Sequence, residues 1–280
     1  VIDHVEVWVL LGAKHGDNQQ LLAIAEAMNR PYRVIPLQFN RAARFPPLML
    51  GTGRLSWRTE CALQPPWPQA VLAAGRKSVP AARWIRKQSG GRTRLIHVNR
   101  PWAPLAWFDL IVTTPQYALP SRSNVLTNLM PFVVPAPRES AAASLTDQTT
   151  RMPRPWTVVL VGGNSRPYVL DEASAHLLAQ TVNDQVRETG GSAWVLGSPR
   201  TNDAALTIIE ASLRAPAHVS RWGQRENLYQ TLLREADQFI VTADSASMLT
   251  EALLSGHTVT PFTLPAQPHW KWRLASAWRA

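Results

Sequence analysis

The chain holds a single cysteine, Cys61, in 280 residues. An internal disulfide is therefore impossible, and nothing in the thiol content points to an oxidising compartment. Long apolar runs are missing as well. No stretch approaches the roughly 18 apolar residues that a membrane-spanning helix needs, and Val1 opens directly on mixed, strand-like sequence without a leader pattern. Cytoplasmic residence is the expectation, with peripheral contact at the inner face of a membrane as its extension. Fixed-spacing nucleotide loops are also lacking: neither GxxxxGK[ST] nor GxGxxG occurs, which discounts a P-loop ATPase and a Rossmann oxidoreductase. There is no GxSxG elbow and no His/Cys or carboxylate spacing suited to zinc, so neither a metal nor a cofactor is expected.

Acidic residues are scarce where basic ones are dense. Arg76, Lys77, Arg83, Arg86, Lys87, Arg92, Arg94 and Arg100 follow one another with no Asp or Glu between them. Residues 1–150 carry 17 Lys/Arg against 8 Asp/Glu, and the remainder 12 against 11. Such asymmetry suits an anionic partner in the N-terminal half: a membrane surface, a phosphorylated or lipid-linked substrate, or nucleic acid. A solubilising face would look the same. Nucleic acid is not expected, because the run has little aromatic interleaving beyond Trp84 and no reading motif.

What the chain does contain is a repeated alternation. "HVEVWVLLG" reads as a strand, "AKHGDNQQ" as a turn and "LLAIAEAMN" as an amphipathic helix; "YRVIPLQF", "AVLAAGR", "TRLIHVN", "FDLIVTTP" and "NVLTNL" read as further strands, with "VPAARWIRKQSGG" as a helix ended by glycine. A polar, proline-bearing stretch breaks the pattern, and it restarts with "WTVVLVGGNS". Short links between strand and helix are the mark of parallel sheets covered on both faces. The expected organisation is an N-terminal Rossmann-like domain over 1–135, a linker over 136–155 and a second Rossmann-like domain over 156–280, with a cleft between them.

Ligands of such sheets bind beyond the carboxyl ends of the strands. The small and polar clusters "GAKHGDNQQ", "AAGRKS", "TTPQY", "VGGNSRPY", "GSPRT" and "TADSAS" all fall at those ends, whereas the opposite turns, such as "ETGG" and "RAPA", carry little chemistry. The turn Gly162, Gly163, Asn164 and Ser165 lets backbone N–H groups approach an anion. After the next strand come Ser198, Arg200 and Thr201, where Arg200 can pair a diphosphate or simply face water. Asp244, Ser245, Ser247 and Glu251 form the richest cluster. Its oxygens suit helix capping alone, or phosphate for the serines and sugar hydroxyls for the carboxylates; a spacing of seven puts Asp244 and Glu251 on one face of a helix start. In the first half Lys14, His15 and Asp17 stand beside two glycines, and His15 and Asp17 are the candidate general bases.

Taken together, "KHGDNQQLLAIAEAM", "AAGRKSVPAARWIRKQSGGRTRLIHVNRPWAP", "FDLIVTTPQY", "PWTVVLVGGNSRPY", "SPRT" and "VTADSASMLTEAL" resemble the elongated-mitochondria (mitochondrial fission) family, which is widespread in bacteria. The likeness covers nearly the whole chain. That family is similar to GT-B glycosyltransferases, α/β proteins of two Rossmann-like domains that bind acceptor in the first and nucleotide-sugar donor in the second. The resemblance implies that Gly162, Gly163, Asn164 and Ser165 cradle the donor diphosphate, helped by Ser198, Arg200 and Thr201, and that Asp244, Ser245, Ser247 and Glu251 hold nucleoside or sugar. Lys14, Gly16, Asn18, Gln19, Gly75 and Arg76 would meet the acceptor. The expected partners are a nucleotide-diphosphate sugar and an anionic, lipid-linked or membrane acceptor. A non-catalytic membrane adaptor of the same fold, or a nucleotide-sugar epimerase, fits the same features.

Overall fold

A computed structural model describes residues 7–133, 152–164, 167–223 and 228–266. The chain divides into two compact units, one within residues 1–134 and one within 135–278.

The N-terminal unit is built on six strands: β1 (Val7–Leu11), β2 (Tyr32–Pro36), β5 (Ala70–Ala74), β6 (Arg94–Val98), β7 (Leu110–Thr113) and β8 (Val125–Thr127). They run parallel in the order β2-β1-β5-β6-β7-β8. Period-two alternation assigns each strand residue to a face. Val7, Val9, Ala70 and Leu72 pack with Leu21 and Ala25 of helix α1 (His15–Ala27). Trp8, Leu10, Val71 and Ala73 pack on the other side with Val79, Ala82 and Ile85 of α3 (Val79–Gln88). Because both faces are covered, β1 reads as an unbroken apolar run instead of alternating.

The Pro- and Arg-rich connection between β2 and β5 is a folded excursion. It contains the short antiparallel pair β3 (Gln38–Phe39) and β4 (Trp57–Arg58), and the single-turn helix α2 (Pro47–Leu50). Trp57 is fully buried and meets Trp84 edge-on at 5.6 Å; Trp84 meets Trp67 at 5.9 Å, and Trp67 meets Trp8 at 5.7 Å. This chain of rings fastens the excursion to the sheet.

The C-terminal unit has five parallel strands, β9 (Trp156–Val161), β10 (Ser192–Gly197), β11 (Ala217–Ser220), β12 (Gln238–Thr242) and β13 (Thr258–Phe262), in the order β11-β10-β9-β12-β13. Helices α4 (Glu172–Thr189) and α5 (Asp203–Ser212) cover one face; α6 (Leu228–Glu235) and α7 (Ala246–Leu254) cover the other. Asp171 and Asn202 cap α4 and α5 by accepting from the Ser174 and Ala204 N–H groups. Each sheet thus reverses its strand order once, between β1 and β5 and between β9 and β12. Those two carboxyl-end crevices are where a doubly wound sheet offers a ligand site.

Much of the basic run of the first half is engaged in holding this fold. Arg86 and Arg94 both pair with Asp109, at 3.1 and 2.8 Å, and the Leu95 N–H donates to the same carboxylate at 2.8 Å. Arg83 stacks on the Trp107 ring at 3.6 Å. Burial opposes ionisation of Asp109, but the Leu95 N–H, Arg94 and Arg86 outweigh it and hold the carboxyl below its ordinary value. A depressed folded value contributes stability at neutral pH that is lost as pH falls through it. Asp109→Ala is expected to destabilise the N-terminal unit by about 1–3 kcal/mol at pH 7, with the difference narrowing in acid. Chemical denaturation at a series of pH values measures both.

Candidate functional site

At the β1/β5 crevice lies a cavity of about 430 Å³. Its wall comes from successive strand ends: Gly12, Lys14, Asp17 and Asn18 after β1, Gly75, Arg76 and Lys77 after β5, Asn99, Arg100 and Trp102 after β6, and Tyr117 after β7. Asn18 fixes the first turn by a reciprocal pair, accepting from the Gly12 N–H and donating to its carbonyl, both at 2.9 Å. No side chain caps α1. The start of that helix, with Lys14, Arg76, Lys77 and Arg100 in the wall, makes this a cavity suited to negative charge.

Asp17 is the one acid among those lining residues. Burial raises its pKa, while Lys14, 4.0 Å away, and an Asn99 amide donating at 3.4 Å pull the other way and are outweighed. A carboxylate held against desolvation in a cationic crevice is what a proton acceptor requires. Gly75, at φ +71°, brings its backbone close beside Asp17, and a Cβ there would sit 3.4 Å from Asp17 Oδ2. Beneath the wall the fully buried His97 ring lies between two carbonyls, 3.1 Å from that of Asn99 and 3.4 Å from that of Gly75. Burial pushes its pKa down to about 4, against the pull of those carbonyls, so the ring is neutral near pH 7 and its single N–H donates to one of the two. Asn99, Trp102 and Ala118 also adopt positive φ, 65°, 54° and 42°. Asn99 and Trp102 line the cavity, and left-handed backbone at non-glycine residues recurs at functional sites.

The β9/β12 crevice is arranged differently. The Gly162 N–H donates to Thr242 Oγ1 at 2.7 Å and the Gly163 N–H to Asp244 Oδ2 at 3.2 Å. Both glycines are required by close packing: a Cβ on Gly162 would lie 2.7 Å from Asp244 Cγ and closer still to its oxygens, and one on Gly163 would lie 2.5 Å from the Arg200 carbonyl carbon. The Ser198 and Thr201 hydroxyls stand 2.5 and 2.6 Å from the Gly162 carbonyl and lock the turn from behind. The Asp244 side chain is fully enclosed and pairs with Arg200 at 3.3 Å, while its Oδ1 has no partner. Burial raises the Asp244 pKa, opposed by Thr242, Arg200 and the Gly163 N–H.

Two expectations need correction. Helix α1 begins at His15, so "HGDNQQ" is helix and not turn; the polar run and Gly16 are tolerated because first-turn N–H groups have no intrahelical acceptor and the dipole there favours Asp. His15, Gly16 and Gln19 consequently lie on the exposed side of α1 and do not line the cavity. Nor do Asp244 and Ser245 cap the helix that follows them. Ser245 occupies the cap position of α7 without a side-chain bond, and Asp244 turns back to Gly163 and Arg200. Glu251 lies further along α7, where it accepts from the Tyr229 hydroxyl at 2.5 Å, so the two carboxylates serve different partners.

The structure therefore brings Lys14, Asp17, Asn18, Gly75 and Arg76 together in one crevice, and Gly162, Gly163, Ser198, Arg200, Thr201 and Asp244 in the other. The Asn164 side chain accepts from the Leu170 N–H at 3.0 Å, Ser247 is half-buried in the first turn of α7, and Ser165 lies outside the described residues. Sequence reasoning did not assign Phe39, Lys77, His97, Asn99, Arg100, Trp102 or Tyr117. "HVNRPW" and "TTPQY" at strand ends were the signal for most of them.

Comparison with known proteins agrees with this architecture. The family model for mitochondrial fission ELM1 matches residues 15–277, and the chain belongs to that family. It is 22% identical over 299 aligned positions to the uncharacterized protein RP120 of Rickettsia prowazekii, covering 93% of this chain and 84% of that one. It is 27% identical over 240 positions to the mitochondrial fission protein ELM1 of Arabidopsis thaliana, covering 74% of this chain and 54% of the plant protein, so it spans about half the plant protein's length. Among solved structures, a putative UDP-N-acetylglucosamine 2-epimerase from Listeria monocytogenes superposes with TM-score 0.57 at 11% identity, over 98% of this chain and 87% of that one. A glycosyltransferase from Rickettsia africae gives 0.56 at 10% identity over the same shares. The UDP-GlcNAc 2-epimerase from Neisseria meningitidis bound to UDP-GlcNAc gives 0.56 at 12%, over 97% and 85%. At these identities the likeness is one of fold: two Rossmann-like domains of the GT-B type.

Two outcomes follow from the crevices. Asp17→Asn should raise the melting temperature at pH 7, because a raised folded pKa lowers stability as pH climbs from the unfolded value through the folded one. The gain should vanish in acid below the unfolded value, where Asp17 is neutral in both states; thermal melts across pH read this directly. Gly162→Ala should cost about 1–3 kcal/mol by overpacking against Asp244, measured by denaturant titration.

Proposed function

We propose that the chain is a glycosyltransferase that moves a sugar from a nucleotide-activated donor to a hydroxyl of an anionic, lipid-linked acceptor. The observation that carries this reading is Asp17: a half-buried carboxylate with a raised pKa, facing a cavity otherwise rimmed by Lys14, Arg76, Lys77 and Arg100. An anionic acceptor is drawn in by the cations, and its hydroxyl gives a proton to the carboxylate. As the proton passes to Asp17, the acceptor oxygen attacks the anomeric carbon of the donor, and the bond from that carbon to the diphosphate breaks with its electron pair leaving on phosphate oxygen.

The donor belongs, in this reading, to the C-terminal unit. The Gly162 and Gly163 N–H groups are already taken up by Thr242 and Asp244, so the diphosphate meets the uncapped first turn of α7 with Ser245 and Ser247. Arg200, held by Asp244 and 40% exposed, supplies the positive charge for the leaving group. Glu251, oriented by Tyr229, reads sugar or ribose hydroxyls. The neighbour bound to UDP-GlcNAc supports a uridine nucleotide as the first donor to try. The recurrence of 2-epimerases among the neighbours favours epimerisation of the donor sugar as the second reading.

The test is calorimetric titration and thermal shift with UDP and UDP-sugars, followed by product analysis. A ligand at a hundred times its dissociation constant adds about 2.7 kcal/mol to stability. Binding of a UDP-sugar, with turnover that requires an added polyprenyl-phosphate or glycolipid acceptor and falls about 10²–10⁴-fold in Asp17→Asn while donor affinity is kept, is the expected result. Conversion of the sugar without acceptor would favour the epimerase; absence of any nucleotide binding by the folded chain would favour the non-catalytic adaptor.

A further inference from the structure

The excursion between β2 and β5 carries a surface that the catalytic reading does not use. From residue 41 to residue 58 the sequence holds Arg41, Arg44, Arg54 and Arg58 and no acidic residue. Within it Phe45, Leu48, Met49 and Leu55 are 54%, 66%, 72% and 69% exposed. Leu48 and Met49 stand on the single turn of α2, and Phe45 and Leu55 flank it. Isolated exposed apolar residues are ordinary, but four large ones within eleven residues, ringed by arginines, are not.

The segment is held in this posture from beneath. Asn40 donates to the Leu55 carbonyl at 2.7 Å, Trp57 Nε1 to the Gly53 carbonyl at 3.0 Å and Arg83 to that of Gly51 at 3.4 Å. Arg76 donates to the Arg44 and Ala43 carbonyls at 3.1 and 3.4 Å, and Pro47 is buried. Arg54 lies over the Trp57 and Trp84 rings, at 4.8 and 5.2 Å. Among the described residues the side chains of Arg41, Arg44 and Arg58 have no ion-pair partner, and the next acid along the chain, Glu60, accepts from Gln38. The backbone is anchored and its apolar tips face outward.

We propose that this surface docks the protein onto an anionic lipid bilayer, with Phe45, Leu48, Met49 and Leu55 entering the interface and the arginines meeting lipid phosphates. Charge argues for this occupant over a second copy of the chain, because self-association would bring two sets of four arginines together with no acid to offset them. Position agrees. Arg76 joins the segment to the cavity wall, and Phe39 of β3 lines the same cavity, so docking brings the cavity's edge to the lipid surface. The inference deepens the acceptor part of the reading above and rests on it only for its purpose; its test involves no donor and no turnover.

The experiment is co-sedimentation of the full chain with extruded vesicles of phosphatidylcholine alone and of phosphatidylcholine mixed with phosphatidylglycerol. Wild type should bind the mixed vesicles and bind plain ones far less, with the preference fading as salt shortens the screening length from about 10 Å at 0.1 M to about 3 Å at 1 M. Leu48→Ser with Met49→Ser should lower partitioning at least about tenfold, and Arg41→Gln with Arg44→Gln should erase the preference for the anionic lipid. Leu129→Ser, which removes an apolar side chain 90% exposed elsewhere, should leave binding unchanged. All these residues are exposed, so circular dichroism and melting temperature should not move. Unaltered partitioning of the Leu48/Met49 variant, or no binding of the folded wild type to anionic vesicles, overturns the proposal. So does a dimer, seen by analytical ultracentrifugation, that the same two substitutions disperse. Calorimetry with UDP-sugars on the same preparations separates failure of docking from failure of the transferase reading.

Discussion

A parallel sheet sealed on both faces has nowhere to place polar chemistry except beyond the ends of its strands, and that constraint orders everything in this protein. β1, β5, β9 and β10 are almost wholly apolar because helices press on them from both sides. The reversal of strand order then parts two neighbouring connections and leaves a crevice that the fold itself does not fill. It happens once in each unit. Among the described residues, Asp17 and His97 in one unit and Asp244 in the other belong to those two places.

The two crevices place an aspartate differently. Asp244 is enclosed, gives one oxygen to the Gly163 N–H and to Arg200, and leaves glycine as the only residue that fits at position 162. It is part of the wall, and the arginine it holds offsets only part of the cost of burying its charge. Asp17 faces an open cavity, and its partners are weaker: an amide at 3.4 Å and a lysine at 4.0 Å. Burial wins over those partners, as it does at Asp244, and the proton affinity of both rises. What separates the two is access: Asp17 lines a cavity, whereas the Asp244 side chain is enclosed in the wall.

The strands, the grouping into two sheets and the strand-end location of the polar turns were legible in the sequence, because continuous apolar runs bounded by Gly and Pro admit little else. The start of α1 was less so. Residues 15–20 are polar and include glycine, which resembles a turn, yet the first helical turn tolerates that composition since its N–H groups have no intrahelical acceptor. The Gly162-Gly163 pair read as a phosphate cradle, while its visible constraint is steric, from Asp244 and the Arg200 backbone; a pair of glycines does not announce which neighbour forbids a Cβ. His97, Asn99, Trp102 and Tyr117 had no spacing signal, because a wall assembled from four strand ends is a product of topology and leaves only short fragments in the sequence.

Net charge was the coarsest guide, and the structure shows why counting misleads. Arg86 and Arg94 neutralise Asp109, and Arg83 lies on Trp107, so the densest basic run is largely internal bracing. The guanidinium of Arg76 spans from the cavity wall to the excursion and gives its donors to backbone carbonyls, which carry no compensating charge. Positive charge with no ion-pair partner among the described residues nevertheless gathers along residues 41–58, and Arg76 ties that segment to the wall of the Asp17 cavity. An anionic substrate and an anionic surface would be met on the same flank of one unit, on a scaffold that Arg76, Arg83, Arg86 and Arg94 brace.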